Sequence, residues 1–304
     1  MENGIEPGTK AGNREFTHQP VMLSEVLALL QLGPDKNYVD GTLGLGGHAK
    51  AILERTAPNG KILGIDRDHE ALEAAKKILP RERCTFKHGT YDQVRDFLTE
   101  LNWPAPDGMI LDLGVSSLQL DKAERGFSFL KSSALDMRMD LEEEVTAREL
   151  LDDLPEKDLA AMFRDLGEER FSKRIARQIV RSRQKSPLRT TDDLRNLVSR
   201  AVPFSKRGRI HPATRVFQAL RIAVNQELKY LRSFLENPPD FLKVGGVLAV
   251  LSYHSLEDRI VKNQFRSFDG FKILTPKPLT PQPEEIRKNS RSRSAKLRAI
   301  QRID

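Results

Sequence analysis

The feature that most constrains the fold is a regular alternation of short β-rich runs with amphipathic helical runs. The predicted strands lie at residues 37–41, 61–66, 84–88 and 108–113, with helical stretches between them at 47–56, 68–79 and 91–101. Such alternation is typical of a parallel sheet covered by helices on both faces. The first half of the chain therefore predicts four successive β-α units of an α/β fold.

The alternation stops for about a hundred residues, from Gln119 to Arg209, where the sequence is charged and helical in period. It then resumes with one long predicted helix over residues 213–235 and three further predicted strands, at 245–252, 271–274 and 295–303. The simplest topology is a seven-stranded, doubly wound, Rossmann-like sheet interrupted after its fourth strand. We predict a disordered tail (1–15), a sheet domain (16–118 and 211–304) and an inserted helical domain (119–210).

Composition limits the partners and the compartment. The formal net charge is +7, with a pI near 9.4, which favours a polyanionic partner but also fits an ordinary basic enzyme. Cys84 is the only cysteine, so a disulfide framework and a paired-cysteine zinc site are excluded within one chain. The start of the chain lacks a signal-peptide core and no apolar run is long enough to span a bilayer, so we expect a cytoplasmic protein.

A glycine cluster follows the first predicted strand in "YVDGTLGLGGH". Gly44, Gly46 and Ala49 match the dinucleotide fingerprint G-x-G-x-x-G/A, and Asp66 follows about 20 residues later, where a carboxylate binds ribose hydroxyls. This pattern alone leaves three interpretations: NAD, another adenosine cofactor, or a tight turn without a ligand. Asp40 favours the second, because its charge repels a pyrophosphate and suits the sulfonium and ammonium groups of S-adenosylmethionine.

Three of the predicted strands end in an aspartate. Asp40, Asp66 and Asp112 each close a strand, and open α/β sheets bind their ligands at that edge. Any one of them would also serve as a helix cap. Together they predict a cleft that accepts ribose and a cationic cofactor.

Several longer motifs are more specific than the glycine cluster. The segments "THQPVMLSEVL", "VDGTLGLGGH", "LDLGVSSLQLDKAERGFSF", "HPATRVFQALRIAVNQEL" and "SYHSLEDRIVK" resemble the bacterial 16S rRNA cytosine N4-methyltransferase family, and the similarity runs from about His18 to "RSRSAKLR". The resemblance implies a class I methyltransferase that transfers the methyl group of S-adenosylmethionine to N4 of cytosine 1402, in the decoding centre of the small ribosomal subunit. It also implies these cofactor contacts: Gly46, Gly47, His48, Asp66, Tyr91, Asp112 and Gln119. Family members tend to carry Phe at position 91, so the role of the Tyr91 hydroxyl stays open.

The chemistry of the target atom identifies candidate catalytic residues. Methylation at carbon 5 of a pyrimidine needs a cysteine nucleophile, but Cys84 lies in a predicted strand and reads as a buried apolar residue. Methylation of an exocyclic amine instead needs acceptors for an amino hydrogen. Many amino methyltransferases place an Asp/Asn-Pro-Pro-aromatic motif after the fourth strand, whereas this chain has "DLGVSS". The acceptor is therefore Asp112, Ser116, Ser117 or a backbone carbonyl.

A second candidate cluster, "SYHSLEDR", follows the fifth predicted strand. Tyr253 has the chemistry to stack on an extruded base, and His254 has the chemistry to accept a proton. The alternative is structural, since Ser255 and Asp258 match an S-x-x-D capping box. The six histidines show no metal-ligand spacing, and the reaction needs no metal.

Charge is separated within the predicted insertion. Residues 140–169 contain 12 acids and 3 bases, whereas residues 170–209 contain 13 bases and 2 acids. Five bases recur at helical spacing beside an apolar stripe, which favours RNA phosphate contacts over a solvated helix paired with the acidic segment. They are Arg170, Lys173, Arg174, Arg177 and Arg181. A second run from Arg287 to Arg302 adds seven bases, either extending this surface or forming a tail ordered only on RNA.

The sequence thus predicts an S-adenosylmethionine-dependent rRNA methyltransferase acting on 16S rRNA within the small ribosomal subunit. Two alternatives stay open: an NAD-dependent oxidoreductase, and a non-enzymatic RNA-binding assembly factor. The sequence does not decide whether the chain forms a homodimer.

Overall fold

The computed structural model describes residues 20–203 and 211–304. The predicted disordered tail, residues 1–15, and the last residues of the predicted insertion, 204–210, lie outside these ranges. After helix α1 (Leu23–Leu29), the β-α alternation follows the prediction closely. The elements of this half are β1 (Tyr38–Asp40), α2 (Gly47–Arg55), β2 (Ile62–Asp66), α3 (His69–Ile78), β3 (Cys84–His88), a 3₁₀ turn (Tyr91–Gln93), α4 (Val94–Glu100), β4 (Gly108–Asp112) and α5 (Ser117–Asp121).

The C-terminal half completes the same sheet. Its elements are α11 (Glu227–Phe234), β5 (Val247–Ser252), α12 (Ser255–Ser267), β6 (Phe271–Ile273), α13 (Pro283–Lys288) and β7 (Lys296–Arg302), preceded by the helices given below. The strand order is β3-β2-β1-β4-β5-β7-β6, and β7 pairs antiparallel with both of its neighbours. This confirms the predicted seven-stranded, doubly wound sheet and all seven predicted strand positions.

Sheet topology places the three strand-terminal carboxylates side by side. Strand β1 pairs in parallel with β2 on one side and β4 on the other, and Asp40, Asp66 and Asp112 are the last residues of these strands. Parallel strands end at the same edge, so the three acids meet where such sheets bind ligands. The alternation of the sequence therefore fixes the position of the site.

The inserted segment forms helices with a core of their own. Its elements are α6 (Ala147–Asp153), α7 (Glu156–Asp165), α8 (Ser172–Arg183) and α9 (Thr191–Ala201). The core around Phe163 and Ile175 also includes Val216, Phe217 and Leu220 of helix α10 (Ala213–Val224). The division into two domains remains our proposal, and this shared core supports placing the second boundary after α10 rather than at residue 210.

The prediction of a single long helix over residues 213–235 is wrong. The helix is interrupted between α10 and α11 at Asn225 and Gln226, and Gln226 adopts a left-handed backbone conformation (φ +49°). The buried Asn225 amide accepts a hydrogen bond from the Met139 N–H (2.7 Å) and donates to the Met137 carbonyl (2.7 Å). Helical periodicity does not reveal this break, because its cause is a contact with a distant loop.

Replacing Asn225 by alanine should lower the free energy of unfolding by about 2–4 kcal/mol, because a buried N–H and a buried carbonyl both lose their partner. Denaturant unfolding measures this value. Asn263→Ala, at an exposed position of α12, is the matched control and should change it by less than about 0.5 kcal/mol. A loss of less than about 1 kcal/mol in Asn225→Ala would contradict the role assigned to this side chain.

The second basic run belongs to the fold. Residues 287–302 comprise the end of α13, a 3₁₀ turn over Ser290–Ser294 and all of β7, so the prediction of a tail ordered only on RNA is wrong. The run is ordered without RNA because β7 hydrogen-bonds to both β5 and β6. None of the helices described is both long and apolar enough to cross a bilayer.

Candidate active site

The glycine loop wraps closely around the start of α2. Gly44 and Gly46 have positive φ values (+52° and +76°), and a Cβ on Gly46 would lie 2.9 Å from Leu79. Glycine has no such atom and adopts this backbone without strain. The Gly44 N–H donates to Asp66 Oδ2 (2.7 Å), which connects the loop to the end of β2. The predicted strand-to-helix turn is therefore confirmed in its geometry.

Asp40 accepts hydrogen bonds from the backbone of the glycine loop and of α2. Its side chain is 2% exposed and accepts hydrogen bonds from the backbone N–H groups of Thr42 and Ala49, so it caps the start of α2. Burial, opposed by these hydrogen bonds and reinforced by the charges of Asp112 and Asp66, raises the pKa of Asp40 to about 7. The structure does not bring Asp40 into the cavity wall, in contrast to its predicted contact with the cofactor, because the carboxylate turns towards the helix.

Asp66 does line the cavity. Burial raises its pKa from 3.8 to about 6, although the N–H groups of Asp68 and Gly44 stabilise the ionised form. The carboxylate is therefore ionised at neutral pH and protonated in mild acid. This is the chemistry expected of a group that accepts hydrogen bonds from ribose hydroxyls.

A cavity of about 330 Å³ opens along the carboxyl edge of the sheet. It brings together most of the predicted site residues. Those in its wall are Gly44, Gly47, His48, Asp66, Tyr91, Asp112, Ser116, Ser117, Gln119 and Tyr253. Gly46 forms the backbone turn before α2, and neither Asp40 nor His254 lies in the wall.

Asp112 is the central acid of this wall. Its Oδ1 accepts a hydrogen bond from the Tyr253 hydroxyl (2.6 Å), and its backbone N–H donates to Thr42 Oγ1 (2.6 Å). His48 Nδ1 lies 3.7 Å from Asp112 Oδ2, while His48 Nε2 lies 3.1 Å from the Val21 carbonyl oxygen. Burial and the Asp112 charge raise the pKa of Tyr253 well above 10, so its hydroxyl stays protonated and donates to the carboxylate.

The two candidate serines differ in their present partners. Ser116 is the N-cap of α5: its Oγ accepts from the Gln119 N–H (3.2 Å) and its N–H donates to Gln119 Oε1 (3.0 Å). Ser117 Oγ accepts from Arg291 (2.5 Å). Gln119 also donates to Asp68 (2.9 Å), so its side chain is held on both sides. Of the candidate acceptors, Asp112 is the charged one.

His254, rather than Ser255, caps α12, so the predicted S-x-x-D box is wrong. The His254 side chain accepts from the Glu257 N–H, and His254 Nε2 lies 3.1 Å from Glu257 Oε1. The Glu257 carboxylate accepts from the Tyr253 N–H (2.8 Å). Asp258 instead pairs with Lys296 and Arg298. His254 is therefore committed to the start of α12, while Glu257 fixes the Tyr253 backbone, and this role of His254 differs from the predicted proton acceptor.

Several wall residues were missed from sequence. The Arg221 guanidinium pairs with Glu227 through two 2.8 Å hydrogen bonds, and Glu257 is 2% exposed. Burial opposes ionisation of Glu257, but hydrogen bonding to His254 and the Arg221 charge lower its pKa. Arg67 is 13% exposed and donates to the Asn225 backbone carbonyl and to Glu143. These residues come from distant segments, and no local motif predicts them.

Within residues 20–203 and 211–304, two groups of side chains have ligand atoms close enough to share a metal ion. They are His69, His88 and Glu142 on the surface, and Glu227, His254 and Glu257 beside the cavity. In the first group the imidazole rings stack in near-parallel planes (centroids 3.6 Å apart), so their in-plane lone pairs do not converge on one point. In the second, His254 and Glu257 already serve the start of α12.

The basic stripe lies on the exposed face of α8 and just before it. Arg170, Lys173, Arg174, Arg177 and Arg181 are all exposed, while Ile175 and Ile179 are buried on the opposite face. The predicted amphipathic geometry is therefore confirmed. Arg177 lies 3.4 Å from Glu156, an exposed pair that stabilises little. The stripe is thus a coherent positive surface on the helical insertion.

Strand order, glycine loop and acid-edged cavity together define a class I S-adenosylmethionine-dependent methyltransferase. The chain belongs to the MraW methylase family, whose model matches residues 15–303. This membership decides against the NAD-dependent oxidoreductase considered from the glycine fingerprint alone.

The sequence similarity to relatives extends along nearly the whole chain. A protein from Syntrophotalea carbinolica named ribosomal RNA small subunit methyltransferase H is 48% identical over 309 residues, covering 95% of this chain and 98% of the relative. One with the same name from a Cyanothece strain is 49% identical, covering 95% and 96%. The crystal structure of an rRNA methylase from Streptococcus thermophilus is 12% identical with a TM-score of 0.40, covering 95% and 99%, which is too distant to support an argument.

Cofactor affinity should depend on the ionisation of Asp66. Because its pKa of about 6 lies above the ordinary 3.8, the carboxylate is lost as the pH falls below about 6. The Kd for S-adenosylhomocysteine should then rise about tenfold per pH unit. Calorimetric titration between about pH 5 and pH 8 measures this. Asp66→Asn should bind S-adenosylhomocysteine weakly at every pH, and only a shallower pH dependence of Kd, due to Asp40, should remain. A pH profile of Kd that is the same in Asp66→Asn as in the unsubstituted protein would contradict the role assigned to Asp66.

Proposed function

We propose that this protein methylates N4 of a cytosine in 16S rRNA, at cytosine 1402 of the decoding centre, within the small ribosomal subunit. The observation that carries the proposal is the pair formed by Asp112 and Tyr253 in the wall of a cavity built for an adenosine cofactor. The relatives' name, ribosomal RNA small subunit methyltransferase, supports the choice of substrate. On the basis of this substrate, we propose a cytoplasmic location.

The donor set of the cavity fits S-adenosylmethionine. Asp66 lines the cavity at the end of β2, where such folds bind a ribose, the glycine loop allows close approach of a ligand to the backbone, and Asp112 gives the adjoining wall a negative charge. S-adenosylmethionine, when bound, supplies a methyl group on a positively charged sulfur. The remaining chemistry belongs to this chain: it excludes water, orients the base and accepts a proton.

Asp112 is the group that we assign to the amine. The N4 lone pair of cytosine is delocalised into the ring, and a carboxylate that accepts an amino hydrogen favours a nitrogen able to form a new bond. With S-adenosylmethionine bound, its sulfonium would supply the methyl group to N4, and Asp112 would accept the N4 proton. Tyr253 orients the carboxylate through its hydroxyl, and Glu257 holds the Tyr253 backbone.

A covalent mechanism at carbon 5 has no support from the one thiol. Cys84 is buried at the start of β3, at the opposite end of the strand from the cavity, and burial raises its pKa to about 11. A thiol that is neither ionised nor near the site does not attack a base. Its interpretation as a buried apolar residue is confirmed.

We assign the stripe on α8 to the phosphates of the same RNA. Four of its members, Arg170, Lys173, Arg174 and Arg181, are exposed on one surface of the insertion. Regularly spaced cations of this kind favour phosphate contacts over base reading. The stripe would position the subunit, while the cavity selects the atom.

Transfer of a labelled methyl group tests the proposal against the non-enzymatic assembly factor. Small ribosomal subunits lacking the modification are incubated with the protein and S-adenosylmethionine labelled in its methyl group. We expect label in 16S rRNA and none in 23S rRNA of large subunits treated in parallel. Tight binding to small subunits without transfer of label would instead support the assembly factor.

A further inference from the structure

Two segments far apart in sequence border the cavity beside Ser117, a candidate acceptor of the amine. One is the loop after β4, with Ser116 and Ser117, and the other is the segment 283–294, from which Asn289 and Arg291 reach the wall. By its sequence, the second segment belongs only to a general basic run. Two of its side chains instead line the cavity.

The geometry of Arg291 suits a reader of that base. Its Nη1 donates to Ser117 Oγ (2.5 Å) and its Nη2 to Asp121 Oδ1 (2.5 Å), so both terminal nitrogens of the guanidinium donate to helix α5 beside the cavity. The backbone behind it is fixed, since the Arg291 N–H donates to Asn289 Oδ1 (3.2 Å) and the neighbouring Ser292 is fully buried. The guanidinium itself is 41% exposed and can exchange partners.

Other bases of the run have different surroundings. Lys296 and Arg298 pair with Asp258, and Arg302 donates to the Leu242 carbonyl (2.7 Å). Arg287 lies on the surface, 3.9 Å from Glu284. Arg291 is the base of this run that lines the cavity.

The acceptors on the edge of cytosine match the donors of a guanidinium. Cytosine presents an amino donor at N4 and two adjacent acceptors, N3 and O2. Asp112 accepts from the amino group in the proposed mechanism, so the neighbouring acceptors require donors. A guanidinium offers two parallel N–H groups at the spacing of two adjacent acceptors. Uracil carries a hydrogen on N3, which meets these donors unfavourably.

We propose that Arg291 donates to N3 and O2 of the target cytosine and thereby selects cytosine over uracil. This inference rests on the proposed function, and it adds a specificity residue to that site. On base entry, Arg291 exchanges Asp121 and Ser117 for the base. The exchange is easy because both members of the ion pair are exposed and such pairs stabilise little.

Three variants test the assignment with small subunits as substrate. Arg291→Ala and Arg291→Lys should each lower kcat/KM about 100-fold, since an ammonium group does not reproduce the paired donors. Affinity for S-adenosylhomocysteine and the melting temperature should stay unchanged. Arg293→Ala, at an exposed position of the same segment, is the matched control and should stay within about twofold of the unsubstituted protein.

A second readout separates base recognition from a purely structural role. Small subunits carrying uracil at the target position serve as competitive inhibitors. The unsubstituted protein should bind them more weakly than cytosine subunits, and Arg291→Ala should reduce this ratio about tenfold, leaving the part of the discrimination that Asp112 provides. A folding defect would weaken both alike and leave the ratio unchanged, which would overturn the inference even if activity falls.

Salt dependence distinguishes a base contact from a phosphate contact. If Arg291 reads the base, the slope of log kcat/KM against log salt should be the same in Arg291→Ala as in the unsubstituted protein. A slope shallower by about one, with Arg291→Lys fully active, would identify a phosphate contact and overturn the inference. If the unsubstituted protein transfers no methyl group, the proposed function itself fails.

Discussion

Asp112→Ala should abolish methyl transfer, lowering kcat by about 1,000-fold, while S-adenosylhomocysteine still binds within about tenfold of its original affinity. The carboxylate accepts from Tyr253 at 2.6 Å and is the charged acceptor beside the serines of the following loop. Its removal takes away the group assigned to the amino hydrogen. Single-turnover transfer to small subunits, with calorimetry for the cofactor, separates the two effects.

Two comparisons sharpen this result. Asp112→Asn keeps the shape and removes the charge, so it should be nearly as slow as Asp112→Ala. Equal losses of transfer and cofactor affinity would instead assign Asp112 to the cofactor alone, leaving the amine to Ser117 or a backbone carbonyl. Unchanged turnover in Asp112→Ala would remove the residue from the mechanism.

Replacing four bases of the stripe, Arg170, Lys173, Arg174 and Arg181, by alanine should lower kcat/KM for small subunits about 1,000-fold. Each lost contact to a phosphate contributes about 1 kcal/mol, and four together amount to about three factors of ten. The loss should come from KM, because the stripe does not touch the cavity. The slope of log kcat/KM against log salt should become shallower by about three.

The control replaces four exposed bases elsewhere: Arg55, Lys61, Lys77 and Arg81. They lie at the amino edge of the sheet, opposite the cavity, and this variant has the same net charge as the stripe variant. We expect it to stay within about threefold of the unsubstituted protein. Equal losses in both variants would show that net charge, rather than the stripe, attracts the RNA.

The sheet and the position of the site were predictable because both depend on local patterns. Alternating strands and helices define parallel order, and parallel order brings Asp66 and Asp112 to one edge. The direction of a side chain at that edge is not encoded in the same way. Asp40 occupies the predicted edge but turns towards the N–H groups of Thr42 and Ala49.

The remaining differences come from contacts between distant segments. Asn225 interrupts a periodic helix because it bonds Met137 and Met139, more than 80 residues away in sequence. Arg291 reaches Ser117 across 174 positions. No local propensity or spacing encodes such pairs, so the sequence could predict the basic run and the cavity separately but not that they meet.

The most direct test of the central claim identifies the methylated atom. Unmodified small subunits are incubated with the protein and S-adenosylmethionine, and the nucleosides of the 16S rRNA fragment containing cytosine 1402 are analysed by mass spectrometry. We predict one N4-methylcytidine per subunit at that position. Recovery of 5-methylcytidine, of a methylated base elsewhere, or of no methylated nucleoside would contradict it.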